Sequence, residues 1–249
     1  MKALAVIGYH HTGKTTLATA LIRELTARGY KVSSIKDIHS EEYRADKPGS
    51  NSAKHADAGA VRVFARGLFD NSLIIPGKMQ LADILPLITS DFLIIEGMKD
   101  APVPKLVCAK DTTQLDELLD DTAIGVSGII ASELETYRGL AVYCLEKSLQ
   151  SLVDEVIKKS FPILPCSDPD CCSACGKTCY QMACDIVQGR ASRNDCVQDT
   201  ALELELLVNG EALTIVPFVQ KLLKDSVLSF VHNLKGVDKD ASIELRIKP

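Results

Sequence analysis

Gly8, Gly13, Lys14 and Thr15 stand at the spacing GxxxxGKT within Gly8-Tyr9-His10-His11-Thr12-Gly13-Lys14-Thr15-Thr16. Those residue types in that pattern suit the binding of a polyphosphate. The glycines reach backbone angles that a side chain forbids, so successive N–H groups converge on an anion at a helix N-terminus. Lys14 adds a point charge that reaches the terminal phosphates, and Thr15 a hydroxyl for the Mg²⁺ that accompanies a nucleotide. Thr16 backs it in the first helical turn. His10, His11 and Thr12 complete the binding loop; the two histidines read equally well as exposed side chains or as contacts to a base or partner.

Two carboxylates join this set by position. Glu96 ends the apolar run Asp91-Phe92-Leu93-Ile94-Ile95, and Asp37 follows Lys36 at the end of a short alternating run. Ligands of open α/β sheets collect beyond the carboxyl ends of strands. Glu96 is therefore expected to face the nucleotide, holding Mg²⁺ through water or polarising an attacking water, with a structural ion pair as the alternative. Lys14 and Glu96 are the catalytic candidates; Thr15, Glu96 and Asp37 are the Mg²⁺ candidates. Asp37 reads equally as part of a solvated loop.

A second constellation lies far along the chain. Seven of the nine cysteines fall between Cys166 and Cys196. Cys172 and Cys175 are separated by two residues, Cys179 follows a turn at Gly176, and Cys196 returns beyond a helical stretch over Tyr180 to Gln188. Four such thiolates suit an iron–sulfur cluster, with zinc as the alternative. Cys166, Cys171 and Cys184 are further thiols that could substitute as ligands. A disulfide framework is disfavoured, because the expected compartment is the reducing cytoplasm: Met1 to Ile7 is too short for a signal peptide, and no uninterrupted apolar segment reaches membrane-spanning length.

Composition limits the partners. Hydrophobic residues make up 46% of 249 residues and the formal net charge is −5. No lysine and arginine cluster stands out, which argues against broad binding to nucleic acid or an anionic membrane.

The elements that must position these groups follow from periodicity. Leu4 to Ile7 reads as a buried strand leading into the loop, and Leu17 to Arg28 as an amphipathic helix leaving it. Lys31 to Ile35, Asp91 to Ile95, Lys105 to Cys108 and Ala123 to Ile130 are sheet strands. Val61 to Ala65 and Ser72 to Ile75 are further strand candidates expected close to the first two. Ser50 or Asn51 caps a helix running to Gly59, Leu81 to Ile88 is a helix interrupted at Pro86, and Lys147 to Ser160 is a helix closing the first domain. Cys108 and Cys144 are expected to be buried. Pro162 and Pro165 mark a linker, and a hairpin about Asn209-Gly210, a helix over Phe218 to Leu234 and a strand over Ser242 to Ile247 make a terminal ββαβ unit. The fold class is thus α/β, a P-loop NTPase-like, mostly parallel sheet with helices on both faces. A cysteine-rich segment and a small α+β unit follow it. The expected domains are 1–160, 163–200 and 201–249.

GYHHTGKTT, followed by IKDIH, DKPGSNSAKHADAGA and LIIEGMKDAPVPKL, resembles molybdopterin-guanine dinucleotide biosynthesis protein B, a P-loop family associated with GTP. The resemblance covers Met1 to about Ser160. It implies an adaptor that binds GTP with Mg²⁺ beside the transferase attaching GMP to molybdopterin, as a homodimer. Asp37 stands where the family often carries histidine, so that histidine's role does not transfer. No NKxD-type guanine-reading motif is present, and the preference for GTP is what the resemblance implies. The cysteine pattern is similar to the small [4Fe-4S] domain of Rnf-type electron-transport and acetyl-CoA decarbonylase subunits, with one residue fewer between the second and third cysteines. Gly189 and Asp195-Cys196 fit its ending. Two functions follow as expectations: a slowly hydrolysing GTP-binding accessory protein of molybdenum or tungsten cofactor maturation, or a P-loop metallochaperone or redox-gated NTPase switch controlled by the metal centre.

Overall fold

The structure, a computed structural model, describes residues 1–166, 175–196, 204, 206–208, 211–212, 217–236, 238 and 243. Cys171, Cys172 and, apart from Ile243, the strand expected over Ser242 to Ile247 lie outside the described residues.

The chain runs β1 (Lys2–Gly8), α1 (Lys14–Ala27), β2 (Val32–Lys36), α2 (Asn51–Asp57), β3 (Val63–Arg66), β4 (Asn71–Ile74), α3 (Leu81–Ile84), β5 (Phe92–Glu96), β6 (Lys105–Ala109) and α4 (Thr112–Leu118). It continues through β7 (Ala123–Gly128), β8 (Thr136–Tyr137), β9 (Leu140–Ala141), α5 (Leu145–Lys159), α6 (Cys179–Val187), β10 (Leu207–Val208), β11 (Glu211–Ala212) and α7 (Pro217–Val231). Five strands form one parallel sheet in the order β2-β5-β1-β6-β7. The chain leaves β1 toward one edge to reach β2, and later crosses from β5 to β6 on the other side. The carboxyl end of β1 is thus the point where the winding reverses, the usual crevice for a ligand in such sheets.

Alternation along β1 builds a core on both faces. Ala3, Ala5 and Ile7 pack with Leu93, Val107 and Leu115, whereas Leu4 and Val6 pack with Leu17 and Leu21 of α1 and Leu152, Val153 and Val156 of α5. A strand buried on both faces must be apolar throughout, as the run from Ala3 to Ile7 is. Pro86 ends α3, and residues 85–87 continue it as a turn of 3₁₀ helix.

Two expectations are corrected. β3 and β4 do not join the main sheet; they pair antiparallel with each other, Val63 opposite Ile74 and Arg66 opposite Asn71. Only residues 67–70 connect them, and a parallel crossover needs a dozen or more. Cys144 is half-buried, because it caps the start of α5 instead of packing in the sheet, while Cys108 is fully buried as expected.

The stretch marked by Pro162 and Pro165 is not an exposed connector. Phe161, Ile163 and Leu164 are buried, and Pro162 bridges Lys2. Beyond it, α6 packs Met182 and Ala183 against Phe161 and Leu164. A polar knot fastens the same helix to the sheet. The Lys105 side chain is fully buried, with its ammonium 3.2 Å from Asp120 Oδ2. Nζ also donates to the Tyr180 hydroxyl at 2.7 Å and lies 4.4 Å from that ring's centroid; Tyr180 donates in turn to Asp120 at 2.5 Å. Burial alone would raise Asp120, but the hydrogen bonds from Thr122 and Tyr180 and the Lys105 charge outweigh it and hold the carboxyl below its ordinary value. Around the knot, Gln188 reaches the Asp121 carbonyl and Arg190 the Asp121 carboxylate.

Two consequences can be measured. Gly8 has φ +154°, and a Cβ there would collide with the Cys108 carbonyl oxygen and come within 2.7 Å of Thr12 Oγ1. Gly8→Ala should therefore lower stability by about 2 kcal/mol or more in urea titration, since backbone of β6 must shift to admit it. Lys105→Ala should destabilise by about 2–4 kcal/mol, less than for a fully enclosed pair because the Asp120 side chain keeps 35% of its surface in water. Limited proteolysis of that variant should cut first in the region of α6; an unchanged urea midpoint and cleavage pattern would contradict the knot's role.

Candidate nucleotide site

The end of β1, the start of α1 and the segments following β2 and β5 enclose a cavity of about 940 Å³. Its walls are residues 8–16, Lys36 to Ser40, and Glu96, Gly97, Lys99 and Asp100. The loop is bent by Gly8, by His11 at φ 59° and by Gly13 at φ 94°. Gly13 is the N-cap of α1 and offers no side chain to it, and no acidic residue lies in the first turn. The first amides of a 14-residue helix and the positive end of its dipole are thus directed at the cavity, as an anion requires.

Inside the loop the Tyr9 carbonyl is the organising acceptor. Thr12, itself buried, donates its hydroxyl to that oxygen at 2.9 Å, and Lys14 Nζ donates to it at 2.5 Å. Burial pulls the Lys14 ammonium below its ordinary value; the Lys36 and Lys99 charges push the same way, against Cys108 and Glu96.

Glu96 lines this cavity and also makes the ion pair that was its alternative reading. Its side chain is 12% exposed; Oε1 accepts from Thr15 Oγ1 at 2.6 Å and lies 3.3 Å from Lys36 Nζ. A hydroxyl and a carboxylate oxygen in contact at the mouth of a phosphate loop form a hard oxygen pair suited to Mg²⁺. Parallel pairing explains the meeting: Val6 is opposite Glu96, and Glu96 is opposite Lys36. Asp37 is in the same cavity with Oδ2 3.2 Å from His39 Nε2, which makes it part of the wall and of a surface pair. His10 and His11 are exposed on the rim, with their ring centroids 6.4 Å apart.

The sequence reading gave no role to Tyr9, Lys99 or Asp100, all of which line the cavity. Tyr9 donates its hydroxyl to Glu117 at 2.7 Å, and Lys99 Nζ lies 4.6 Å from the centroid of the Tyr9 ring. The available signal was the position of Lys99, three residues beyond a strand-end carboxylate and just past Gly97, whose φ of +102° turns the chain there.

The described cysteines divide by environment. Cys175, Cys179 and Cys196 border one apolar cluster with Phe161, Leu164 and Met182. Burial pushes the Cys166 thiol up to about 12, with neighbouring Cys179 adding to it. Cys184 lies on another side of α6. Burial raises its thiol, Asp120 and Asp121 add to this, and Lys105 and Arg190 oppose it. Among the described residues no three His, Cys, Asp or Glu side chains gather closely enough to hold a metal ion, and Cys172 lies outside them. Among the described residues, too, no helix is long and apolar enough to cross a membrane.

Comparison with known proteins places this geometry. A chain of Methanocaldococcus jannaschii provisionally described as a molybdopterin-guanine dinucleotide biosynthesis adapter protein is 28% identical over 254 residues, 99% of this chain and 97% of that one. That match includes the cysteine-rich segment. The molybdopterin-guanine dinucleotide biosynthesis adapter protein of Haemophilus influenzae is 34% identical over 109 residues, 42% of this chain and 61% of its own length. Among solved structures, Bacillus subtilis MobB superposes with a TM-score of 0.55 at 22% identity, over 65% of this chain and 99% of that structure, which supports the mostly parallel α/β fold. The family model for molybdopterin guanine dinucleotide synthesis protein B matches residues 3–131, more than half the chain and all of the cavity wall. The chain belongs to that family.

Proposed function

We propose that the chain binds GTP with Mg²⁺ and acts as an adaptor in the assembly of the molybdopterin guanine dinucleotide, beside the transferase that joins GMP to molybdopterin. One observation carries the reading: the uncapped amides of α1, Lys14 and the Thr15–Glu96 pair open on one cavity at the end of the central strand. Family membership and the described roles of the relatives support it. Gly8 to Thr16 hold the phosphates; Thr15 and Glu96, with Asp37 nearby, hold the metal. In this reading GTP hydrolysis is slow. The working form is a homodimer.

In this reading Cys172, Cys175, Cys179 and Cys196 hold a [4Fe-4S] cluster, with zinc as the alternative occupant. The shared apolar setting of Cys175, Cys179 and Cys196 favours that choice over Cys184, which lies by the Lys105–Asp120 pair. Soft thiolates in an apolar surround suit iron or zinc. A second function, a metallochaperone or redox-gated NTPase, is favoured by the knot at Tyr180, because it joins the cysteine-bearing helix to β6, the direct neighbour of β1.

Purified transferase and molybdopterin distinguish the two. Stimulated dinucleotide formation supports the adaptor, and metal-dependent hydrolysis without stimulation supports the switch. Lys14→Ala should abolish nucleotide binding with an unchanged circular dichroism spectrum, as it removes a charge from an exposed loop. Glu96→Gln should keep GTP binding and lose most of the turnover, measured by phosphate release. After anaerobic purification, iron and sulfide should be found, and Cys→Ser at 172, 175, 179 or 196 should remove them. Bleaching by Cys184→Ser with retention by Cys179→Ser would reassign the third ligand.

A further inference from the structure

Three ammonium groups surround the phosphate loop, and their partners differ. Lys14 is held by the Tyr9 carbonyl and Lys36 by Glu96. Lys99 has no carboxylate within ion-pair distance among the described residues; its ammonium rests on the face of the Tyr9 ring, 4.6 Å from the centroid. That ring is fixed at its far end by the hydroxyl's bond to Glu117. Lys99 is exposed, and it lines both the loop cavity and a second one, of about 460 Å³, whose lining includes Asp120 and Tyr180. An exposed cation–π contact is worth about 0.5–1 kcal/mol, whereas a hydrogen bond from an ammonium to a phosphate oxygen is worth about 1.5–3 kcal/mol. A long side chain with that choice exchanges one for the other when the anion arrives.

We propose that Lys99 is the residue that distinguishes a nucleoside triphosphate from a diphosphate, leaving the Tyr9 ring to bond the terminal phosphate. The inference rests on the nucleotide-binding reading above and adds to it a selective group. The loop amides and Lys14 are shared by both nucleotides, because they wrap the phosphates nearest the helix N-terminus. Lys99 follows β5 and sits over Tyr9 at the start of the loop, away from the helix N-terminus that begins at Lys14, and there it contacts the phosphate that only the triphosphate carries. It is a binding residue for the terminal phosphate, and no covalent step is assigned to it.

Isothermal titration of GTP and of GDP, each with Mg²⁺, into wild type, Lys99→Met and Lys99→Arg tests this. Lys99→Met should weaken GTP by about tenfold and GDP by less than about twofold. Lys99→Arg should keep most of the preference, since the charge remains. Thermal melts should match wild type because the side chain is exposed. Equal losses for GTP and GDP, or GTP affinity unchanged in Lys99→Met, would overturn the assignment while leaving nucleotide binding intact. If wild type binds neither nucleotide, the nucleotide reading itself fails, and this inference with it.

Discussion

Strand β1 is hydrogen-bonded on both edges and covered by an apolar layer on both faces, and its last residue has no room for a Cβ. The rest of the site depends on that confinement. Gly8 seats against the Cys108 carbonyl of β6, so the loop leaves the sheet from one fixed place and delivers the α1 amides to one point. Neighbouring parallel strands then end at the same level, which brings Glu96 to Thr15 and Lys36 to Glu96. A close-packed sheet does not deform gradually, so groups on three separate segments hold their places in the absence of a ligand.

The same strand order ties the cysteine-bearing helix to the nucleotide site. β6 contributes Cys108 beneath the loop at one end and Lys105 beneath α6 at the other. A lysine with no exposed surface is stable only while its charge is matched, and Asp120 with Tyr180 supplies that match. Docking of α6 is therefore more than apolar contact: Tyr180 bonds both members of the pair, and loss of Asp120 would leave the Lys105 charge stranded inside the sheet. Tyr180 of α6 thereby lines a cavity together with Lys99 and Asp100.

How much of this was legible in the sequence varies with the range of the interaction. The loop, α1 and the five sheet strands could be read because glycine spacing, apolar runs and, for β2, short alternation are local signals. Glu96 was legible too, as a charge at the end of a buried run must find a partner near the site. β3 and β4 were legible as strands but not as partners of each other, because apolar alternation says nothing about which strand a segment pairs with; the four-residue connection carries that constraint. Lys105 looked like an ordinary strand residue, since its partners lie 15 and 75 positions away. Lys99 was missed for a similar reason: a lysine in a polar turn is common, and only the fold sets it over Tyr9.

If the polyphosphate of GTP is held by the amides at the end of β1, as proposed, hydrogen exchange followed by mass spectrometry will report it there. With saturating GTP and Mg²⁺, exchange should slow across residues 9–16 and at Glu96 to Asp100, with no comparable change in α5. Unaltered exchange in residues 9–16 under conditions where GTP is bound would contradict the account, because the nucleotide would then lie elsewhere on the molecule.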